Sequence, residues 1–303
     1  MRLGGRWQGI ISDVDETVLG STERRSGVFQ HAGHALSYYD LGPLDGPAIL
    51  LVHGLVSDSS TWQRPADGLA AAGFRVIAPD LLGHGASDKP VDGGYHLPGF
   101  AAGLHALLLE LGVPSVTVIG HSLGGAVAMQ LAHDCPELVH RLVLVSAGGL
   151  GRKVHPILRV ATLPGAHRLL RLAVNQRTAA IYRAPRLHRS LRLSPDVVSN
   201  LGRAGRGLVS PTGRAAFFQT LHNAINPAGQ RGSMLEQEYL PRELPTLIIW
   251  SQDDPVVPVV HAHQTHAHLP NSRLEIFPGS THQPHHHSAD RFVDAVSTFI
   301  RLP

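Results

Sequence analysis

Short apolar runs recur along this chain, and longer mixed stretches separate them. The run at 48–52 is apolar at every position, as in a strand buried on both faces of a sheet. The runs predict strands at 35–39, 48–52, 75–78, 116–119, 141–145, 246–250 and 273–277. The stretches between them predict helices at 62–72, at 97–111, from the end of the fourth strand to about 135, and at 289–301. Strands that alternate with helices indicate an α/β protein with a doubly wound, mostly parallel sheet.

The alternation stops near residue 146 and resumes at 246. The intervening sequence looks helical, is interrupted repeatedly by proline and glycine, and offers no clear buried strand. We therefore predict that a helical cap is inserted into a single α/β core, in which strand 35–39 lies at the edge of the sheet. The predicted division is an N-terminal arm at 1–30, the first part of the core at 31–147, the cap at 148–240 and the second part of the core at 241–303.

Length and composition fit a globular protein. The 303 residues suffice for one large domain or for a core with an insertion, and 43% are hydrophobic and 16% charged. No apolar run approaches the roughly 18 residues that span a membrane, and the N-terminus lacks the apolar segment of a secretory signal. The single cysteine, Cys135, excludes an internal disulfide. We therefore expect a cytoplasmic protein with no integral membrane segment.

The charge is distributed unevenly. Residues 150–214 hold 13 lysines or arginines and one acidic residue, Asp196, so this segment carries about +12. Since the whole chain carries +3, the remainder carries about −9. The basic cap could attract an acidic substrate or an anionic membrane surface, but a solvated cationic face is the favoured interpretation. Nucleic-acid binding is not expected, because no recognition motif accompanies the charge.

The strand at 116–119 runs into Gly120-His121-Ser122-Leu123-Gly124, and small residues follow. The pattern G-x-S-x-G between a strand and a helix is typical of a nucleophile elbow, a sharp turn that projects a serine hydroxyl from the top of a sheet. Side chains two positions away on either side would collide in such a turn, which explains the two glycines. Ser122 is therefore a candidate nucleophile.

Two other patterns are interpreted as structural. Asp13, Asp15 and Thr17 resemble the D-x-D-x-T motif of haloacid-dehalogenase-type phosphatases, but the preceding strand is very short, and a solvated acidic turn is favoured. The histidine clusters lack cysteine ligands and have few acids nearby, so no metal site is predicted. The clusters contain His261, His263, His266, His268, His285, His286 and His287.

Four motifs together resemble the α/β-hydrolase family, and the resemblance covers nearly everything from residue 31 onward. The chain is similar to the capped, cofactor-free members of this family, a group that contains esterases, lactonases, perhydrolases and carbon–carbon bond hydrolases. The motifs are His53-Gly54, the segment 80–87 (DLLGHGAS), Gly120 to Gly124, and the pair of C-terminal segments 251–258 and 278–285.

The resemblance implies a Ser-His-Asp triad in the chain order of this family. The family pattern places the acid on Asp254, with Asp253 as the alternative, and the base on His282. A carboxylate at Asp254 would hold the histidine tautomer and stabilise its cation. Histidine suits the base because its ordinary pKa, near 6.5, lets it accept and return a proton near neutrality.

The resemblance also implies an oxyanion hole made by the backbone N–H groups of Leu55 and Leu123. Gly54 would let the backbone approach, and His53 is expected to order this loop through its ring. The glycine-rich segment after strand 75–78 is expected to be structural and tied by Asp80. His121 and Trp62 are expected to support the site, although Trp62 could equally be a buried helix residue.

A serine at the elbow favours acyl chemistry, since related dehalogenases and epoxide hydrolases carry aspartate there. We therefore expect hydrolysis of an ester or lactone of a small to medium, largely apolar small molecule, with no cofactor. The alternative is a carbon–carbon hydrolase for a diketone-type substrate, although such enzymes often have asparagine where this chain has His121. A non-catalytic binding module on the same fold is the alternative from another class. The sequence leaves the oligomeric state open.

Overall fold

A computed structural model describes residues 24–173, 207–235, 239–279 and 281–302. In this part of the chain, eight strands form one sheet in the order β1-β2-β4-β3-β5-β6-β9-β10. All neighbouring pairs from β4 to β10 are parallel, whereas β2 pairs antiparallel with both β1 and β4, so β2 alone runs against the other strands. The sheet strands are β1 (Arg25–His31), β2 (His34–Leu41), β3 (Ala48–Val52), β4 (Arg75–Pro79), β5 (Val116–His121), β6 (Val139–Val145), β9 (Thr246–Ser251) and β10 (Ser272–Phe277).

Helices cover both faces of the sheet, as a doubly wound fold requires. On one face, Leu104 of α2 and Met129 of α3 belong to a large apolar core with the inner strands. On the other face, Leu69 of α1 and Phe292 of α9 belong to a second core. The core helices are α1 (Gln63–Ala71), α2 (Leu97–Glu110), α3 (Leu123–Asp134), α7 (Val260–His268), α8 (Pro284–His287) and α9 (Ala289–Arg301). The predicted α/β class and the predicted parallel sheet are confirmed.

The N-terminal part of the sheet differs from the prediction. The predicted edge strand is the second strand, because β1 begins at Arg25, inside the predicted arm, and pairs with β2 through a tight turn at Ala32-Gly33. Of the side chains of β1 only Phe29 is buried, so the strand has no apolar run that a sequence pattern could reveal. Residues 1–23, with the D-x-D-x-T motif, lie outside the described residues.

A helical insertion separates β6 from β9. It contains α4 (Pro156–Val160), α5 (Ala166–Ala173), α6 (Pro211–Ala224) and a hairpin of β7 (Ile225–Asn226) and β8 (Gly229–Gln230). The hairpin was not predicted, because strands of two residues leave no periodic pattern. Phe217, Leu221 and Ile225 form a small apolar core of this insertion. The predicted limits of the cap as a domain stay a prediction. No helix in the described ranges is long and apolar enough to cross a bilayer.

Candidate active site

Ser122 lies in the turn between β5 and α3 with φ 55° and ψ −118°. A positive φ in a residue other than glycine costs on the order of 1–3 kcal/mol and persists only where the surroundings impose it. Here the Ser122 N–H donates to the Val145 carbonyl at 3.0 Å, and the N–H groups of Gly125 and Gly148 donate to the Ser122 carbonyl. Strand β6 and the loop after it therefore hold the strained turn.

The glycines of the turn lie where no side chain fits. A Cβ atom on Gly120 would lie 2.2 Å from the Gly124 carbonyl oxygen, and one on Gly124 would lie 2.2 Å from the Val52 carbonyl oxygen. A Cβ atom on Gly54 would lie 3.0 Å from His121 Nδ1 and 3.1 Å from Ser122 Cβ. The backbone after β3 thus runs directly against the elbow.

The loop after β3 carries the Leu55 N–H beside the elbow. His53 is fully buried, and its Nε2 accepts from the Leu81 N–H at 3.0 Å, so its Nδ1 carries the proton and donates to the Gly54 carbonyl at 2.9 Å. The ring therefore links this loop to the segment after β4. Among the described residues, the N–H groups of Leu55 and Leu123 have no protein acceptor. Both are free to donate to a bound ligand.

The segment after β4 is held by side-chain hydrogen bonds of Asp80 and Ser87. One carboxylate oxygen of Asp80 accepts from the Ser59 N–H and the other from the Ala86 N–H, each at 2.7 Å. Ser87 Oγ donates to the Asp80 carbonyl at 2.6 Å and accepts from the Ser37 N–H. The predicted structural role of Asp80 fits these contacts.

Asp254 and His282 meet at the carboxyl ends of β9 and β10. His282 Nδ1 lies 2.9 Å from Asp254 Oδ2 and 3.1 Å from Oδ1, so Nδ1 carries a proton and Nε2 is left as an acceptor. The N–H groups of Val256 and Val257 also donate to Asp254. Burial alone would raise the pKa of Asp254, but these hydrogen bonds and the His282 ring hold this pKa below its ordinary value. The alternative acid, Asp253, is exposed, and its N–H donates to the Gly279 carbonyl at 3.2 Å.

His121 lies between the elbow and the His282 loop. Its Nε2–H donates to the His282 carbonyl at 2.7 Å, and the two ring centroids are 4.8 Å apart. Burial and the neighbouring His282 lower the pKa of His121 to about 3, so the ring is neutral in the folded protein. Trp62 is fully buried behind this ring, 4.2 Å from His285, and does not line the cavity. Its supporting role stays a prediction.

A cavity of about 480 Å³ opens above the elbow, between the sheet and the described part of the insertion. Ser122, His121, Leu123, His282 and Leu55 all line it, whereas Asp254 lies behind His282. The remaining wall is mainly apolar, with residues from the β3 loop, the insertion and the loop after β9. Among these apolar residues are Val56, Leu97, Val154, Leu158, Ile225, Met234 and Val256.

Sequence reasoning missed the polar residues of this wall. Gln130 is buried, donates to Asp134 and accepts from the Tyr239 hydroxyl at 2.6 Å. Gln230 is buried too: its Oε1 accepts from the Gly149 N–H at 2.7 Å, and its Nε2 donates to the Lys153 carbonyl. Only Gln130 had a signal in the sequence, as the single polar residue in the small and apolar run at 123–132.

The histidine clusters do not converge. His261 is buried, whereas His263, His266 and His268 are exposed on α7. In the described part of the chain, no three histidine, cysteine, aspartate or glutamate side chains group so as to hold a metal ion. Of the basic residues predicted for the cap, those from Arg177 to Arg206 lie outside the described residues.

The family model for the α/β hydrolase fold matches residues 47–288. The chain belongs to the α/β hydrolase fold family. The match spans both halves of the sheet, the elbow and the loops that carry Asp254 and His282. It therefore confirms the resemblance drawn from the four motifs.

Individual relatives of this α/β hydrolase bear different names. It is 42% identical over 268 residues to an uncharacterised protein of Mycobacterium tuberculosis, covering 84% of this chain and 75% of the relative. It is 27% identical to a 2-hydroxymuconate semialdehyde hydrolase of Pseudomonas putida, covering 89% and 92%. A hydrolase structure from Pseudomonas aeruginosa matches with a TM-score of 0.71 at 25% identity, covering 91% and 98%. The family thus fixes the fold and the hydrolase class, but not the substrate.

Proposed function

We propose that this α/β hydrolase is a serine hydrolase that cleaves an ester or lactone of a small to medium, largely apolar molecule. The observation that carries the proposal is the arrangement around the cavity. A strained serine and the unprotonated nitrogen of a carboxylate-bound histidine line the same apolar space, beside two unpaired backbone N–H groups. The cavity volume falls within the range of small-molecule sites, about 300–1,000 Å³.

In the proposed reaction, Ser122 Oγ attacks the acyl carbon while His282 Nε2 takes the hydroxyl proton. The N–H groups of Leu55 and Leu123 donate to the oxyanion of the tetrahedral intermediate, where one such donor contributes about 3–4 kcal/mol. His282 then returns the proton to the leaving alcohol, and an acyl-Ser122 ester remains. Water, deprotonated by His282, attacks this ester, and His282 returns the proton to Ser122 Oγ as the acid leaves. Asp254 stabilises the imidazolium in both steps.

A fluorophosphonate probe tests this assignment. It should label the folded wild-type protein covalently and should not label Ser122→Ala, and wild type should hydrolyse members of an ester and lactone panel that varies in chain length and charge. Ser233→Ala is a matched control, because this serine lines the same cavity outside the elbow. If the folded wild type is not labelled, the binding-module alternative replaces the proposal.

A carbon–carbon hydrolase remains a second candidate, favoured by the similarity to the 2-hydroxymuconate semialdehyde hydrolase. The same panel should therefore include that semialdehyde. Turnover of this compound at a kcat/KM above that of every ester and lactone would favour the second candidate.

A further inference from the structure

The segment from α4 to α5 exposes an unusual number of apolar side chains. Nine large apolar side chains are exposed in the described part of the chain, and four of them lie between residues 157 and 169. Ile157 is 65% exposed and Leu169 is 69% exposed. Val160 and Leu163 are exposed as well, and we call the surface of these four side chains the outer cap face. Isolated exposed apolar residues are ordinary, but a cluster indicates a contact surface.

The same segment is uniformly basic. Residues 151–173 contain no aspartate or glutamate, and no described carboxylate forms an ion pair with any of their cationic side chains. These cations are Arg152, Lys153, Arg159, Arg168 and Arg171. The rest of the chain is net negative, so the positive charge is a local property of the cap.

The outer cap face lies close to the candidate active site. Val154 and Leu158, from the same segment, line the cavity beside Ser122. Helix α4 therefore has one side on the cavity and the other toward solvent, and a helix with its side chains is only about 10–12 Å across. A molecule held at the outer face would be about one helix diameter from the cavity.

We propose that the outer cap face docks on an anionic phospholipid surface. Exposed apolar residues surrounded by arginine and lysine are the usual composition of an interfacial contact, in which the apolar side chains enter the acyl boundary and the cations meet the head groups. Two outer cap faces would repel each other, whereas a sheet of anionic head groups complements every cation of the segment. If the proposed hydrolase function holds, the site would take ester substrates dissolved in that surface.

Binding to vesicles tests the docking without depending on catalysis. The Ser122→Ala protein is sedimented with vesicles of phosphatidylcholine alone and of phosphatidylcholine mixed with phosphatidylglycerol. It should bind the mixed vesicles, bind the neutral ones much less, and be released as salt screens the charges. Equal binding to both vesicles, or binding to neither, would overturn the proposal.

Two variants locate the contact. Arg168→Glu/Arg171→Glu should weaken partitioning at least about 25-fold, because each basic residue near such a surface contributes about fivefold. Ile157→Asp/Leu169→Asp should weaken partitioning at least about tenfold by removing the apolar contact. Both variants should keep wild-type hydrolysis of a water-soluble ester, because none of the four side chains lines the cavity.

Matched controls make the same kinds of substitution outside the cap. Arg64→Glu/Arg273→Glu changes the net charge equally on the core, and Val28→Asp/Val91→Asp replaces exposed apolar residues outside the cap. Both controls should bind like the parent protein, and loss of binding in either would refute a contact localised to the cap.

A lower melting temperature of Ile157→Asp/Leu169→Asp would show that another part of this chain covers the outer cap face. Concentration-dependent association abolished by this variant would show that a second copy does. Either result would overturn the proposal, and loss of ester turnover with retained vesicle binding would refute only the proposed function.

Discussion

The loops at the carboxyl ends of the strands and the cap above them hold their residues by different means. In the loops, backbone hydrogen bonds, buried side chains and close glycine contacts fix each candidate residue, as at Ser122 and His53. The cap segment 151–173 is mostly exposed. Side-chain hydrogen bonds connect it to its surroundings, from Gln230 to the Lys153 carbonyl and from Arg159 to the Pro227 carbonyl. We therefore propose that the loops, whose residues are held by many contacts, carry the chemistry, and that the cap, which has fewer contacts, selects the substrate.

The largest expected effect lies in the loops, at Asp254. Asp254→Asn should lower kcat by about 10⁴-fold, because an amide at this place favours the wrong tautomer of His282 and does not stabilise its cation. Steady-state kinetics on the best ester of the panel would measure the loss, and circular dichroism would check that the fold is kept.

Asp253→Asn is the matched control for Asp254→Asn. Asp253 neighbours the proposed acid in the sequence but is exposed, so its variant should keep kcat within a few-fold of wild type. The reverse pattern, with the larger loss at Asp253, would move the acid to the alternative that the sequence left open.

The second effect concerns stability and tests whether the loops are as rigid as their contacts imply. Gly124→Ala should destabilise the fold by about 3 kcal/mol, because the new methyl group would overlap the Val52 carbonyl and only backbone could move. Gly232→Ala is the matched control in the cap, where an added Cβ meets no described atom within 4 Å. Urea unfolding of both variants measures the difference, and equal midpoints would remove the distinction between the two regions.

Much of the core could be predicted because each candidate residue follows a buried strand. The carboxyl ends of parallel strands meet at one edge, so placing β5, β9 and β10 was enough to bring the loops of Ser122, Asp254 and His282 to the same end of the sheet. The glycines of the G-x-S-x-G pattern and the order of the motifs also predicted the sharp turn at Ser122. These signals are local, and they depend little on what packs above the sheet.

The wall of the cavity could not be predicted, because its contacts join residues that lie far apart in the sequence. Gln230 reaches the loop after β6 from a hairpin of two-residue strands, and Tyr239 reaches Gln130 across more than a hundred residues. The bond from His121 to the His282 carbonyl is likewise a contact between two distant loops. Such contacts depend on tertiary packing, which leaves no period or spacing in the sequence.

The last effect is a pH dependence of stability that should originate in the core, where a single histidine should contribute about 2 kcal/mol between pH 6.5 and pH 5. Burial, together with the neighbouring His53 and His282 respectively, lowers the pKa of His84 and of His121 to about 3. In the unfolded chain the same rings have a pKa near 6.5, so between about pH 6.5 and pH 3 the unfolded state binds protons that the folded state does not. Stability should therefore fall as the pH falls through this window, by about 1.4 kcal/mol per pH unit for each of the two histidines.

His121→Gln separates this effect from the other histidines, because a glutamine amide can still donate to the His282 carbonyl but does not titrate. Its unfolding free energy, measured in urea between pH 7 and pH 5, should fall less steeply with falling pH than that of wild type. The slopes should differ by about 1.4 kcal/mol per pH unit, the contribution of one titrating histidine. His167→Gln, an exposed ring of the cap, should leave the slope unchanged. If the two variants had the same slope, His121 would be accessible to protons in the folded state. The loop around the elbow would then be as open as the cap.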